Sequence, residues 1–400
     1  MPIISKNPAT EEIIKTFTEL TDEELENKIA SARNAFLDWK KTSFKDRAVI
    51  MRKLGAYLNA HALEFSKLQM LEMGKTMKSG PAGIEKCAML CDYYADNADK
   101  MLAQEKVDTG NQEHYVEFDA IGIILGVMPW NFPFWQVYRF AVPAIMAGNT
   151  CLLKHASNVP MCAEAIEESF RASGFPEGIF QNLFLSSPRV EKLLRDGRVM
   201  AVSLTGSEKA GSEVASVAGE EIKKAVLELG GSDPFIVFAD SHIELAGKTA
   251  VLARLQGNVG QSCISAKRFI VEESIKEKFI EVVVDEFSKL VVGDPSDVNT
   301  DVGPLATEQI LKEVEKQVAD SVALDAKIIC GGKRKGGKGY FYLPTLLSEV
   351  AKGMPVYDEE VFGPVMPVIT FKTEAEAVEI ANDTRYGLGA TIFTKDIDKA

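Results

Sequence analysis

The chain has 400 residues, which predicts two or three domains, and its 46% hydrophobic residues are those of an ordinary globular protein. It carries 58 acidic residues against 45 Lys and Arg, giving a formal net charge of −13 at pH 7. This sign argues against nucleic acid or an anionic membrane as the main partner.

The cysteines and histidines exclude two further classes. Six cysteines form no C-x-x-C pair and four histidines are scattered, so the sequence offers neither a disulfide scaffold nor a spacing typical of metal ligands. The N-terminus has no signal-peptide pattern, and no apolar run approaches the length of a membrane span. We therefore expect reduced thiols, a cytoplasmic location and no metal.

The first hundred residues are predicted to be mostly helical. Thr21-Asp-Glu-Glu24 forms a capping-box sequence, and apolar residues follow it at helical spacing. A second long helix is expected over 46–72, and a third contains Cys87 and Cys91. The character of the sequence changes after Asp108, and the alternation from His114 to Asp119 predicts an exposed or edge strand.

From Ile121 onward, short apolar runs alternate with amphipathic segments. Strands are expected at 121–127, 150–153, 180–184, 199–204 and 225–229. A second alternation begins at Phe235 and continues to Phe393. Such alternation is typical of parallel sheets covered on both faces, so the fold class is α/β with two doubly wound domains. The basic, glycine-rich stretch 331–339 is interpreted as a solvated loop between strands.

Three local signals indicate chemistry. Cys263 lies among small residues in a helix-to-strand connection, where a substrate can reach it, although a small buried core residue is the alternative. Glu228 stands between an apolar strand and a glycine pair. Apolar surroundings would disfavour the charged form of its carboxyl, which suits a general base, and the alternative is a glutamate at a strand end that points into water. Asn131 follows a buried strand between two prolines and suits an oxyanion donor or a structural turn.

These signals occur within a longer series of motifs that resembles the aldehyde dehydrogenase superfamily over essentially the whole chain. The motifs stand in the family's order: Asn7-Pro-Ala-Thr10, Pro129-Trp-Asn-Phe-Pro133, Leu153-Lys154, Leu204-Thr-Gly-Ser207, Leu227-Glu-Leu-Gly-Gly231, Gly260-Gln-Ser-Cys263, Gly303-Pro-Leu305 and Glu360-Val-Phe-Gly-Pro364.

The resemblance implies a domain organisation. A Rossmann-like NAD(P)-binding domain is expected over 1–107 and 121–229, interrupted by an oligomerisation strand at 108–120. A catalytic domain is expected over 230–400. The family's assembly implies a homodimer or homotetramer, provided that the C-terminal part is present.

The resemblance also implies catalytic roles. Cys263 would attack an aldehyde as a thiolate, and the amide of Asn131 would hold the resulting oxyanion. Glu228 would activate the water that hydrolyses the thioester.

Cofactor contacts are carried over by position from the family's motifs. The residues concerned are Trp130, Lys154, Ser157, Thr205, Gly206, Ser207, Gly211, Leu229, Glu360 and Phe362. Many NAD-specific members have a glutamate where this chain has Ser157. Because Ser157 and Lys154 present no charge that would repel a 2′-phosphate, NADP is expected to be accepted, with NAD also usable.

The substrate is inferred from Arg139. The segment Pro133-Phe-Trp-Gln-Val-Tyr-Arg139 resembles succinate-semialdehyde dehydrogenases, in which an arginine at this place binds the substrate carboxylate. The resemblance thus implies oxidation of succinate semialdehyde to succinate. A structural arginine bound to backbone carbonyls, and a dehydrogenase of another short aliphatic aldehyde, are the alternatives.

The C-terminus departs from the family. The chain stops at Ala400, where family members usually continue for several tens of residues. A truncated, non-catalytic relative is therefore a third alternative, although the complete set of Asn131, Glu228 and Cys263 argues against it.

Overall fold

The structure, a computed structural model, describes residues 3–110, 112–255 and 257–400. It divides into two compact units. Unit 1 consists of Ile13–Glu72 and Gly80–Leu229 with the N-terminal segment up to Lys6, and unit 2 consists of Asn7–Glu12, Met73–Ser79 and Gly230–Ala400. In both units the predicted α/β class with helices on each face of a mainly parallel sheet is confirmed.

Unit 1 contains seventeen labelled elements within its described residues. In chain order they are β1 (Ile3–Lys6), β2 (Ile13–Phe17), α1 (Asp22–Trp39), α2 (Phe44–Ala60), α3 (Ala62–Met73), α4 (Gly80–Met101), β3 (Glu105–Asp108), β4 (Glu113–Val116), β5 (Ile123–Met128), α5 (Pro133–Met146), β6 (Thr150–His155), α6 (Pro160–Ala172), β7 (Phe180–Asn182), α7 (Arg189–Leu194), β8 (Val199–Thr205), α8 (Glu208–Glu220) and β9 (Lys224–Glu228).

The main sheet of unit 1 is parallel and has the order β7-β6-β5-β8-β9. The chain first builds outward from β5 to β7 and then returns to the other side of β5 with β8. The order therefore reverses between β5 and β8, and ligands of open α/β sheets bind at the carboxyl ends of the strands at such a point. Helices α1, α7 and α8 cover one face through Ile29, Leu193 and Val214.

The N-terminal region agrees with the helical prediction only in part. Thr21 caps α1 with the predicted capping box, and the apolar stripe of the helix is buried. The single helix predicted over 46–72 is wrong, because the backbone leaves the helical region at His61 and two helices form. The antiparallel pair β1–β2 was not predicted, since these strands are short and β2 is mostly exposed.

The region 108–120 was predicted as one strand; among its described residues, Asp108 and Glu113–Val116 belong to a two-stranded antiparallel sheet. Strands β3 and β4 pair from Glu105–Val116 to Asp108–Glu113. Every residue of both strands is exposed, so no buried face marks them in the sequence.

Unit 2 has a six-stranded sheet of order β12-β13-β14-β11-β10-β15, parallel except for β12. Its elements are β10 (Asp233–Val237), α9 (Ile243–Leu255), β11 (Ala266–Glu272), α10 (Lys276–Ser288), α11 (Glu308–Ala323), β12 (Lys327–Cys330), β13 (Thr345–Ser348), α12 (Pro355–Asp358), β14 (Val365–Phe371), α13 (Glu374–Asn382) and β15 (Thr391–Phe393). Alternate residues of β10 enter two cores, with Phe235 facing α9 and α10 and Ile236 facing α11. The loop 331–339 joins β12 and β13, as predicted.

Two N-terminal segments, Asn7–Glu12 and Met73–Ser79, belong to unit 2 and not to unit 1. The amide of Tyr340 donates to the carbonyl of Pro8 at 2.9 Å. The Lys75 ammonium donates to the carbonyl of Gly257 at 3.1 Å. These bonds join residues far apart in sequence, so local patterns do not reveal them.

Within the part of the chain that the structure describes, none of the helices combines the length and the apolar character needed to cross a membrane.

Candidate active site

The candidate residues of unit 1 follow the carboxyl ends of its parallel strands. Trp130 and Asn131 lie in the loop between β5 and α5, and Thr205 ends β8. These two strands flank the point where the strand order reverses. Asn131 is 4% exposed, so its amide is held by its surroundings and does not move freely in solvent.

His155, which the sequence analysis passed over, supports the loop that carries Asn131. Nε2 of His155 lies 3.1 Å from the carbonyl of Pro133, and Nδ1 lies 3.2 Å from the carbonyl of Met128 and 2.9 Å from the backbone N–H of Ala156. Burial lowers the pKa of His155 to about 4, which keeps the ring neutral at neutral pH. The imidazole thus contacts the backbone on both sides of the loop that carries Asn131.

The start of α8 lies beside the end of β9. Ser207 caps the helix by accepting the N–H of Ala210 at 3.3 Å. The amide of Gly206 donates to the carbonyl of Glu228 at 3.0 Å. A Cβ on Gly211 would lie 2.5 Å from a methyl carbon of Leu229, so only glycine permits this packing. A helix N-terminus at this end of a parallel sheet suits a phosphate group.

Lys154 is the penultimate residue of β6, and Ser157 follows the strand. The Lys154 ammonium is buried and lies 3.5 Å from the hydroxyl of Ser187. Burial lowers the pKa of Lys154, and the charge of Glu19 opposes this shift. Ser157 is exposed and adds no charge. A cation in this position favours an anionic ligand.

Among the described residues, the partners of Arg139 are two side chains of its own unit. Its Nη2 donates to Oγ1 of Thr205 at 3.1 Å, and its Nη1 lies 3.7 Å from Oε2 of Glu228. The two charged side chains keep 36% and 44% of their surfaces exposed and line a cavity of about 430 Å³ together with Gln136. The guanidinium is therefore able to take a second anionic partner.

In unit 2, Cys263 lies on a tight turn between α9 and β11. The turn contains Val259 at φ 56° and Gly260 at φ 74°. A β-branched residue with positive φ is strained by about 1–3 kcal/mol, and such strain is concentrated at functional sites. The side-chain amide of Asn258 donates to the carbonyl of Gln261 at 2.9 Å, and Gln261 accepts the N–H of Ala306 at 2.9 Å. The turn is therefore rigid, while the Cys263 side chain is half-buried and open to reagents.

The glycine pair after Glu228 allows this turn to approach β10. A Cβ on Gly231 would lie 2.5 Å from the carbonyl oxygen of Cys263. Any side chain at this position would displace the cysteine backbone, which explains the second glycine of the Leu227-Glu-Leu-Gly-Gly231 motif.

Glu360 and Phe362 precede β14 in unit 2. Oε1 of Glu360 accepts the N–H of Gly231 at 3.0 Å and lies 3.4 Å from the ammonium of Lys267. Burial raises the pKa of Glu360, and the charge of Lys267 opposes this shift. The fully buried guanidinium of Arg254 donates to the carbonyls of Val361 and Gly363, at 2.8 and 2.7 Å. Lys267 and Arg254 were both missed from sequence, because a basic residue in an apolar segment has no pattern that identifies its partners.

The two units place their candidate residues at opposite ends of their strands. Thr205 and Glu228 stand at the carboxyl ends of β8 and β9, whereas Cys263 and Glu360 precede the amino ends of β11 and β14. The residues of unit 1 provide amide, cation and helix-terminus groups that fit a dinucleotide, and unit 2 provides an accessible thiol and a half-shielded carboxylate.

The comparisons with known proteins identify the family of the chain. The model of the aldehyde dehydrogenase family matches residues 2–400. The chain belongs to the aldehyde dehydrogenase family. The family resemblance inferred from the motifs is thereby confirmed, and Asn131, Glu228 and Cys263 are all present.

The relatives within the family are near in sequence and in structure. A protein of Mycobacterium tuberculosis named succinate-semialdehyde dehydrogenase (NADP(+)) 1 is 51% identical over 99% of this chain and 87% of its own length. The succinate-semialdehyde dehydrogenase (NADP(+)) of Mycobacterium avium is 50% identical over 99% of this chain and 84% of its own. The crystal structure of succinic semialdehyde dehydrogenase from Streptococcus pyogenes in complex with NADP+ matches with a TM-score of 0.96 at 34% identity, over 99% of this chain and 87% of that one.

Proposed function

We propose that this protein oxidises succinate semialdehyde to succinate with NADP+ as the electron acceptor. The observation that carries the proposal is the 51% identity, over 99% of the chain, to an enzyme named for this reaction. The cation of Arg139, beside a cavity, supports a substrate with a carboxylate.

Each catalytic group has a role that its surroundings favour. The thiolate of Cys263 forms a carbon–sulfur bond with the aldehyde carbon, and the amide of Asn131 donates to the oxygen that becomes negative. Loss of a hydride from this adduct leaves a thioester on Cys263. Glu228 removes a proton from water, the water oxygen attacks the thioester carbon, and the carbon–sulfur bond breaks to release succinate and the thiolate.

The dinucleotide, when bound, accepts the hydride. We propose that unit 1 holds it, with Lys154, Ser157 and Ser207 binding its phosphate-bearing half. Trp130, Thr205, Gly206, Gly211 and Leu229 are proposed to line the same groove. In unit 2, Glu360 would accept hydrogen bonds from the hydroxyl groups of the nicotinamide ribose, and Phe362 would contact the nicotinamide ring.

Arg139→Met tests the substrate. We expect the KM for succinate semialdehyde to rise by about 10- to 100-fold, because a charge-assisted pair with the carboxylate is lost. Butanal, which has no carboxylate, should show an unchanged KM, and this comparison removes any effect transmitted through Glu228. Arg52→Met, an exposed arginine paired with Asp96, is the control. An unchanged KM for succinate semialdehyde contradicts the substrate assignment.

Ser157→Glu tests the cofactor. We expect the KM for NADP+ to rise by about tenfold or more, because a carboxylate at this position repels the 2′-phosphate, while the KM for NAD+ changes less. Michaelis curves with both dinucleotides measure the effect, and Ser288→Glu, at the exposed C-terminal residue of α10, controls for the added charge. Failure of the unmodified protein to use NADP+ would refute the proposal.

The oligomeric state and the cellular location stay predictions. The exposed strands β3 and β4 present Val107, Tyr115 and Val116, each at least 45% exposed, which supports a homodimer or homotetramer built through this element. All six cysteines lie among the described residues and carry free thiols, which agrees with a cytoplasmic location.

A further inference from the structure

A buried lysine stands four residues after Cys263. Lys267 is the second residue of β11, and its side chain is 2% exposed. Burying an ammonium group is costly unless hydrogen bonds and opposite charges compensate it. The partners of Lys267 therefore indicate why the group is there.

The ammonium points to the backbone of the cysteine turn. It donates to the carbonyls of Ser262 at 2.7 Å, Cys263 at 2.8 Å and Ser265 at 3.4 Å. Lysine has three such donors, and here all three converge on a stretch of four residues. This arrangement fixes the peptide that carries the thiol.

The same ammonium lies 3.4 Å from Oε1 of Glu360. Glu360 in turn accepts the N–H of Gly231, whose Cα lies directly against the carbonyl of Cys263. Lys267 thereby connects the cysteine turn with the segment before β14. Arg254 supports the turn independently, since its Nη1 donates to the hydroxyl of Ser265 at 2.9 Å.

The charges around Lys267 oppose each other. The pKa of Lys267 is lowered to about 8: burial and the charge of Arg254 lower it, whereas the charges of Glu360, Asp233 and Cys263 oppose this shift. At neutral pH the group still carries its proton in most molecules. A retained positive charge that interacts with Cys263 favours the negative form of that sulfur.

We propose that Lys267 is a positioning residue for the nucleophile: its ammonium holds the carbonyls of Ser262 and Cys263, and its charge favours the thiolate of Cys263. The proposal rests on the proposed function of Cys263. It supplies the activation that a histidine partner provides in other cysteine enzymes.

The test measures the thiolate without aldehyde or dinucleotide. The alkylation rate of Cys263 by iodoacetamide is followed by peptide mass spectrometry as a function of pH in the full chain, in Lys267→Met and in Lys267→Gln. We expect both variants to raise the apparent pKa of the alkylation, with about tenfold less thiolate at neutral pH. Lys267→Gln keeps a hydrogen-bond donor without the charge, so it separates the charge from the support of the turn. Lys78→Met removes an exposed lysine of the same unit, paired with Asp301, and should change nothing.

Wild-type alkylation profiles for both folded variants would overturn the proposal. If neither variant folds, the unmodified protein still decides, because native Cys263 must then alkylate with an apparent pKa below that of the same cysteine in the urea-unfolded chain. An equal or higher native value overturns the proposal. The alkylation assay involves no turnover, whereas the dehydrogenase proposal is tested by the turnover of Cys263→Ser. A failure of the Lys267 proposal can therefore be told apart from a failure of the proposed function.

Discussion

Cys263→Ser is expected to lower kcat for succinate semialdehyde by about a thousandfold or more. A serine hydroxyl is almost fully protonated at neutral pH, and its oxygen is a much weaker nucleophile than a thiolate. The turn should remain intact, because the bonds of Lys267 reach the backbone carbonyl of residue 263 and not its side chain. NADPH formation measured by absorbance, with the unfolding temperature as a fold check, gives the result.

Cys330→Ser is the matched control for this change. Cys330 is also half-buried and carries a free thiol, but it ends β12 and has no proposed role. We expect its kcat to equal that of the parent. A Cys263→Ser variant that turns over at the parent rate would show that another group forms the bond to the aldehyde.

Glu228→Gln is expected to separate the two halves of the reaction. The first turnover should still release about one equivalent of NADPH per site, because acylation uses Cys263 and Asn131. The steady-state rate should then fall by about 10²- to 10⁴-fold, since the glutamine cannot take a proton from water. Stopped-flow absorbance resolves the burst from the slow phase.

The matched control for the base is Glu220→Gln, which neutralises an exposed carboxylate near the end of α8. It should leave both phases unchanged. If the burst and the steady state of Glu228→Gln are slowed equally, the proposal that Glu228 acts only in thioester hydrolysis is contradicted. Such a result would indicate that Glu228 has a structural role through its contact with Arg139.

Local sequence patterns predict a large part of this fold. Buried parallel strands such as β5 and β6 are continuous apolar runs in the sequence. The capping-box residues Thr21 and Glu24 mark the start of α1. Exposed strands such as β3 and β4 lack a buried face, and the break at His61 depends on backbone geometry. Those features were accordingly missed or misplaced.

The candidate site divides in the same way. Cys263, Glu228 and Asn131 stand in motifs that a family resemblance identifies, and Gly231 is required because the cysteine backbone packs against it. The residues that support these side chains do not stand in a recognisable motif. His155 acts through backbone contacts across the sheet, and its partners become apparent only once the strands are in register.

The central claim is that Cys263 forms a covalent thioester with the oxidised substrate. Its most direct test is the mass of the Glu228→Gln variant, mixed with succinate semialdehyde and NADP+ and quenched in acid within the burst. The account predicts one added succinyl group per chain, located on the peptide that contains Cys263 and absent when NADP+ is omitted. NADPH formation without any added mass on that peptide would contradict it.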